Sequence, residues 1–254
     1  MKIVINDPAK CKQFQTLFHL LSTICDDVNI NIRENEMFIQ GMDMGHICLF
    51  ELNITSVWFD EYNYDKDAPI FGVKLSILSK VLSCLGDKQN ITIDNKRPDK
   101  LNIYFNSEEL YKCFEMCLFD FDIEMLEIPN VTYDADITLN SSIINSILSE
   151  LFSFGEVVEI NTTEEYMNFK SKYNTNETQV ENRLNISDLE EYAIIEDGNI
   201  TQEFSLQYLQ KIVQFSKLSK EVEINFSEGL PLKFKYNLSD NNNVSIWISP
   251  RVDN

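Results

Sequence analysis

Two pairs of helix-patterned segments recur in this chain at almost the same spacing. Leu75, Ile77, Leu78, Lys80, Val81 and Leu82 are matched 131 positions later by Leu206, Tyr208, Leu209, Lys211, Ile212 and Val213. Phe14, Leu17, Phe18 and Leu21 are matched 130 positions later by Ile144, Ile147, Leu148 and Leu151. Within 254 residues, a repeat of that length points to two copies of one folding plan, each the size of an ordinary domain. The periodicity predicts helices over residues 8–24, 74–85, 141–154 and 205–220. Asp7 before Pro8 suits an N-cap followed by an N1 proline, and Gly86 and Gly155 close the second and third helices. Most of the remainder reads as strands. Residues 30–40, 47–54, 90–94, 101–106 and 222–226 are rich in β-branched and aromatic side chains, and several alternate apolar with polar. Turn signals at Glu34-Asn35, Asp94-Asn95, Asp197-Gly198 and Asp240-Asn241 separate them. Each half therefore reads as strand, helix, strands, helix, strands, which is an α+β class.

Charge is divided by element type. The chain carries 21 Lys+Arg against 41 Asp+Glu, a formal net charge of −20, which taken whole argues against phosphate binding. Yet the four helical segments contain Lys10, Lys12, Lys74, Lys80, Lys211, Lys217 and Lys220, with Glu150 as their only acid. That is +6 in the helices and −26 elsewhere. Solvated helices usually mix signs, because i,i+4 ion pairs stabilise them. Helices nearly free of acid point to a shared face turned toward something negative.

Other classes are excluded by what is missing. No apolar run approaches 18 residues, and the segment from Met1 to Pro8 lacks an apolar stretch and cleavage site, so neither a membrane helix nor secretion is expected. Cys11, Cys25, Cys48, Cys84, Cys113 and Cys117 show no CxxC spacing, and they read as free buried thiols in a reducing compartment. No GxGxxG, P-loop, GxSxG or HExxH motif is present. The pairs Asp26/Asp27 and Asp120/Asp122 lie in acidic runs with no nucleophile or third ligand at a motif spacing. No catalysis, metal or cofactor is expected.

Several short motifs then fall in one order along the chain. The stretch Gln40 to Leu49 includes Met42, Asp43 and His46, and is followed by Phe59-Asp60 and Tyr62. Leu78 to Leu82 with Cys84 comes next, then Asp120, Asp122, Glu124, Leu126, Ile128 and Pro129. The second half adds Phe204-Ser205-Leu206 with Tyr208 and Leu209, then Leu230-Pro231-Leu232, then Ser249-Pro250-Arg251-Val252. On these residues the chain resembles the proliferating cell nuclear antigen family of DNA sliding clamps, over essentially its whole length. The resemblance implies two similar clamp domains, each with outer β-sheets and two inner helices, assembling head to tail into a ring. The domains would span residues 1–117 and 134–254, with an acidic connector over 118–133. A two-domain chain needs three copies to close the family's ring, hence a homotrimer.

The resemblance also implies the working surfaces. The seven helix lysines named above would face duplex DNA through its phosphates, without reading sequence. Met42, His46, Ile47, Leu49, Leu126, Ile128, Pro129, Ser205, Pro231, Trp247, Ser249, Pro250 and Val252 would form a pocket for the clamp-binding peptides of DNA polymerase and other replication and repair proteins. Phe114 would lie on one subunit edge, and Thr178, Val180 and Arg183 on the other. A loader ATPase would be required, since this chain has no nucleotide motif. The nucleus, or a viral replication compartment, is the expected location, with no membrane partner. One departure stands out: Gln15, Thr16, Ser22, Ser149 and Ser153 occupy positions where many relatives carry Lys or Arg, so the hole would be only weakly basic. A clamp-fold subunit of a heteromeric checkpoint-type ring, or a monomeric viral interaction platform, is the competing reading.

Overall fold

The computed structural model describes residues 1–64, 70–97, 99–172, 179–239 and 241–251. The chain divides into two compact units. The first comprises Met1–Asp43, Glu51–Leu126 and Ser239–Asn243, and the second Met44–Phe50, Glu127–Leu238 and Val244–Asn254.

The first half runs β1 (Lys2–Ile5), α1 (Pro8–Leu21), β2 (Asp27–Ile32), β3 (Glu36–Met42), β4 (Cys48–Thr55), β5 (Glu61–Asn63), β6 (Phe71–Lys74), α2 (Leu75–Leu82), β7 (Asn90–Arg97), β8 (Lys100–Asn106) and β9 (Tyr111–Cys117). The second half repeats this order as β10 (Ala135–Asn140), α3 (Ser141–Phe152), β11 (Val157–Thr163), β12 (Tyr166–Lys172), β13 (Glu181–Asn185), β14 (Glu191–Ile194), β15 (Asn199–Ser205), α4 (Leu206–Ile212), β16 (Glu221–Phe226), β17 (Leu232–Ser239) and β18 (Asn242–Ile248). Even the short 3₁₀ turn after the fourth strand recurs, as Ser56–Trp58 and Ile186–Asp188. Sheet order repeats too. The strands β5-β1-β7-β8-β9 correspond to β14-β10-β16-β17-β18, and β4-β3-β2-β6 to β13-β12-β11-β15. The duplication seen in the helices thus extends to every strand.

The repeated apolar positions fill equivalent cores. Phe14, Phe18 and Leu21 are buried, as are their counterparts Ile144, Leu148 and Leu151. Leu75 and Leu78 match buried Leu206 and Leu209. In each unit the two helices pack on one another and on the strands beside them. Strand alternation holds on β4 and β11, where every second residue is buried.

Local chemistry sets the helix starts. Asp7 accepts from the N–H groups of Ala9 and Lys10 (2.7 and 3.2 Å), and Asn140 from that of Ser142 (2.9 Å). The second helix is capped from a distant segment: Ser76 N–H donates to Asp26 Oδ1 (2.8 Å), and Leu75 N–H to the Asp26 carbonyl (2.7 Å).

All four helices are shorter than their patterns predict. The fourth departs most: expected over 205–220, it ends at Ile212 and continues as a 3₁₀ turn over Val213–Lys217. The β-branched pair Ile212-Val213 weakens the α-helix, and Ile212, Val213 and Phe215 are all buried, wider than one helical face. The cysteines also need correction. All six are free, but only Cys11 and Cys48 are buried, while Cys84, Cys113 and Cys117 are exposed. Cys113 and Cys117 fall on the outward positions of β9. Burial pushes the Cys11 thiol up to about 11. Burial, then Asp26, Asp27 and Asp43, push Cys25 up to about 12.

Asp26 supplies a test of the cap. Burial alone would raise its pKa, but the bonds from Ser76 and the charge of Lys74 outweigh that and leave it lowered. A carboxyl depressed in the folded state stabilises above its unfolded pKa and loses that contribution as pH falls through the folded value. Asp26→Ala should cost about 1 kcal/mol at neutral pH, as loss of a cap does. The difference from wild type should shrink toward pH 3. Urea denaturation at both pH values checks this, and an equal difference at both would remove the carboxylate from the account.

Candidate functional site

The helix lysines do not all stand free. Lys74 closes β6 and is the N-cap residue of α2, not the first helical residue that its segment predicts. A cation is unfavourable at a helix N-terminus. Its ammonium instead pairs with Asp27 (2.6 Å) and Asp26 (3.7 Å) and lies 5.7 Å from the ring centres of Phe119 and Phe121. Among the described residues it is the one lysine of the seven within ion-pair distance of a carboxylate. Lys10 donates to the Trp58 carbonyl (2.6 Å) across the indole face, and Lys12 donates to Gln15 (2.6 Å). Lys12, Lys80, Lys217 and Lys220 are exposed, and Lys211 is half-buried over Tyr208. The uncharged residues on these helices have structural work. Gln15 Nε2 donates to the Leu82 carbonyl (2.7 Å), and His19 meets Ser79 (3.3 Å), so both bind α1 to α2.

Residues 118–126 are anchored to the first unit at several points. Phe119 and Gly72 exchange backbone hydrogen bonds (3.0 and 2.9 Å), an isolated bridge on β6. Only glycine fits there, because a Cβ on residue 72 would lie 2.5 Å from the Phe119 carbonyl oxygen and 2.6 Å from the Phe121 ring. Phe119 and Phe121 stack with ring centres 5.3 Å apart, and Asn29 donates to the Phe121 carbonyl (3.1 Å). Farther on, Leu126 N–H donates to Gln40 Oε1 (2.8 Å) while Gln40 Nε2 donates to the Leu126 carbonyl (2.9 Å). A side-chain amide here does what a neighbouring strand would do. Between these anchors lies a cavity of about 220 Å³ lined by Asn29, Asn31, Gln40, Ile70, Ile123, Glu124 and Met125. Leu126 itself is 45% exposed. Met42, half-buried at the end of β3, belongs to the same unit.

Ten further candidate pocket residues belong to the second unit: His46, Ile47, Leu49, Ile128, Pro129, Ser205, Pro231, Trp247, Ser249 and Pro250. His46 is exposed and holds a left-handed backbone (φ 55°), uncommon without glycine. The next residue, Ile47, accepts from Ser249 N–H (2.9 Å), so the His46 turn and the chain's last described segment are side by side. Arg251 N–H donates to the Glu203 carbonyl (2.7 Å), which brings Pro250 to the end of β15 near Ser205. Ser205 is the N-cap of α4 but its side chain makes no cap bond. Ile128, Pro231, Ser249 and Pro250 are half-buried, and Pro129 is exposed. Val252 lies outside the described residues.

Trp247 has two neighbours that the sequence pattern does not reveal. Lys233 Nζ lies 5.5 Å from its ring centre, and the Tyr133 phenol is hydrogen-bonded to it. Burial raises the Tyr133 pKa, the bond with Trp247 offsets part of this, and Asp136 adds to it. On β17 the charged face alternates with buried Leu232, Phe234 and Tyr236, so Lys233-x-Lys235 was the available signal. No sequence signal could have paired Tyr133 with Trp247.

The candidate subunit edges are both terminal strands. β9 ends its sheet, with Phe114 half-buried against Phe105 (ring centres 5.5 Å apart). β13 ends its sheet, with Arg183 exposed beside Glu181 (3.3 Å) and over the Tyr166 ring (4.2 Å). Val180 precedes β13 and its carbonyl accepts from Ser171 N–H (2.9 Å), while Thr178 lies outside the described residues. By the duplicated plan, the counterparts of β9 and β13 are β18 and β4. These are not terminal: in the second unit the Cys48–Phe50 end of β4 lies beside β18.

Among the described residues no cluster of three His, Cys, Asp or Glu side chains could hold a metal ion, and no helix is long and apolar enough to cross a membrane. The chain is similar to "Proliferating cell nuclear antigen 2" of Plasmodium falciparum, with 28% identity covering 94% of this chain and 95% of that protein. It is also similar to "Probable DNA polymerase sliding clamp 2" of Paramecium bursaria Chlorella virus 1, with 26% identity covering 99% and 91%. Residues 9–130 match the N-terminal domain of proliferating cell nuclear antigen and residues 127–251 match its C-terminal domain. With the two domain models meeting at residues 127–130 and a strand-for-strand duplication behind them, the chain belongs to the proliferating cell nuclear antigen family.

Proposed function

We propose that this protein is a DNA sliding clamp, a processivity factor that encircles duplex DNA and tethers a polymerase and other replication and repair proteins. Family membership supports the reading, and the observation that carries it is that β9 and β13 each end their sheet among the described residues. β9 and β13 are equivalent to β18 and β4, which already lie side by side. Pairing β9 of one copy with β13 of the next would repeat that arrangement, a head-to-tail contact whose rotation closes a ring. Three two-domain chains complete it. The domains are 1–117 and 134–254, joined by the connector 118–133. No catalytic step is assigned. The ring is opened by a separate loader ATPase, in the nucleus or a viral replication compartment.

In this ring the helices line the hole and Lys10, Lys12, Lys80, Lys211, Lys217 and Lys220 face phosphates. Lys74 is withdrawn from that set, because Asp26 and Asp27 neutralise it. Retention rests on topology more than on charge, since Gln15, Thr16, Ser22, Ser149 and Ser153 add none. That neutrality also favours a second reading, a heteromeric ring in which another chain supplies the positive charge. Met42, His46, Ile47, Leu49, Leu126, Ile128, Pro129, Ser205, Pro231, Trp247, Ser249, Pro250 and Val252 form the peptide site.

Light scattering coupled to size exclusion tests the assembly. A homotrimer is expected at micromolar concentration, and Phe114→Glu should reduce it to monomers by placing a charge at the seam. A wild-type monomer would overturn the homotrimer and leave the heteromeric reading. Changing Lys80 and Lys211 together to Glu should make retention on circular DNA less tolerant of salt, because each lost phosphate contact weakens binding. The thermal midpoint should barely move, since among the described residues neither ammonium lies within ion-pair distance of a carboxylate. Unchanged salt dependence would show that these lysines face elsewhere. Ile128→Ala should cost about 1–2 kcal/mol of affinity for a peptide with a Gln, an aliphatic residue and an aromatic pair, as an interface anchor does. Calorimetry that finds equal binding to both proteins would remove Ile128 from the site.

A further inference from the structure

We propose that Lys74 is a positioning residue for the connector: its ammonium, tethered by Asp26 and Asp27, locks Phe119 and Phe121 against β6 and so fixes the segment that presents Leu126 to the peptide site. This rests on the reading of the connector as a wall of that site and adds what holds the wall in place.

The lock follows from the order of residues on β6. Gly72 and Lys74 are two apart, so they share one face of that strand. On one side of β6, Asp27 of β2 is in register with Lys74. On the other side, Phe119 bridges Gly72. Residue 72 has no side chain, so the stacked rings of Phe119 and Phe121 settle onto the strand there. The next side chain on the same face is the lysine, and its Nζ lies 5.7 Å from both ring centres. That is within reach of the attraction between an ammonium and an aromatic ring. Asp27 and Asp26 hold the cation from the β2 side, at 2.6 and 3.7 Å. The hydrogen bond with Asp27 is the largest influence on the Lys74 ammonium and raises its pKa.

The other anchors of this segment grip its backbone. Leu118 N–H donates to the Asp99 carbonyl (3.0 Å), Asn29 donates to the Phe121 carbonyl, and Gln40 closes on Leu126. Lys74 acts instead on the two side chains between them. Phe119 remains 36% exposed, so burial holds its ring only in part, and the cation supplies the rest.

Hydrogen–deuterium exchange of the full chain, read by mass spectrometry, tests the lock. Lys74→Met keeps the apolar stem and removes the charge. Exchange over residues 118–121 should then quicken about two- to fivefold, the range of one partly exposed cation–π contact. Lys74→Arg should retain the wild-type rate, because a guanidinium also pairs with carboxylates and stacks on rings. Calorimetry with a peptide carrying the Gln, aliphatic and aromatic-pair motif should show a matching loss of affinity in Lys74→Met, about two- to fivefold, and none in Lys74→Arg. Unchanged exchange in Lys74→Met, or faster exchange confined to α2, overturns the lock. Faster connector exchange with undiminished peptide affinity overturns its role in the site. A wild type that binds no peptide overturns the site and with it the role given to Lys74 there. The exchange measurement uses no peptide, so it separates that failure from failure of the lock.

Discussion

A strand at the end of a sheet presents a row of backbone donors and acceptors that nothing in its own sheet satisfies. That constraint organises this molecule. Duplication produced two copies of one plan, and with them two pairs of equivalent edges: β4 with β13, and β9 with β18. Two of the four lie side by side, and two end their sheets. The same chemistry that stabilises the first pair makes the second pair a liability for an isolated chain. In the proposed ring, assembly would follow from how the strands are ordered, and the residues on β9 and β13 would tune its strength.

Electrostatics follows a different logic. Acid is excluded almost entirely from the helices, yet the lysines there are few, and one of them is already neutralised by its own unit. What remains is a set of polar, uncharged side chains that bind helix to helix, such as Gln15 to Leu82 and His19 to Ser79. As the lining of the proposed ring, such a surface would hold DNA by enclosure, with little of the counterion release that drives tight phosphate binding.

The duplication, the helices' existence and most strands were legible because they rest on local period. The β4 pattern of alternating burial, for example, is written directly in Cys48–Thr55. The ends were less legible. Lys74 reads as helical because Leu75 and Leu78 follow it, but Asp26, far away in sequence, supplies the cap and fixes the lysine outside the helix. Cys113 and Cys117 read as buried because an edge strand with Phe114 and Met116 inside looks like any buried strand. Candidate site residues came from motif resemblance, and the structure adds what motifs do not encode. Gln40 was visible as part of a run, but its grip on Leu126 depends on the connector folding back across β3. Lys233 and Tyr133 approach Trp247 from segments about a hundred residues apart, a juxtaposition that no window along the chain contains.

Gly72 touches neither a proposed partner nor DNA, and its backbone could accept any residue if space allowed. Space is what Phe119 and Phe121 remove. The path of the connector is therefore recorded in a position nearly fifty residues upstream of it. Any variant that keeps the Phe119–Phe121 crossing must keep a residue without a Cβ beneath it, whatever the outward side chains of the connector become.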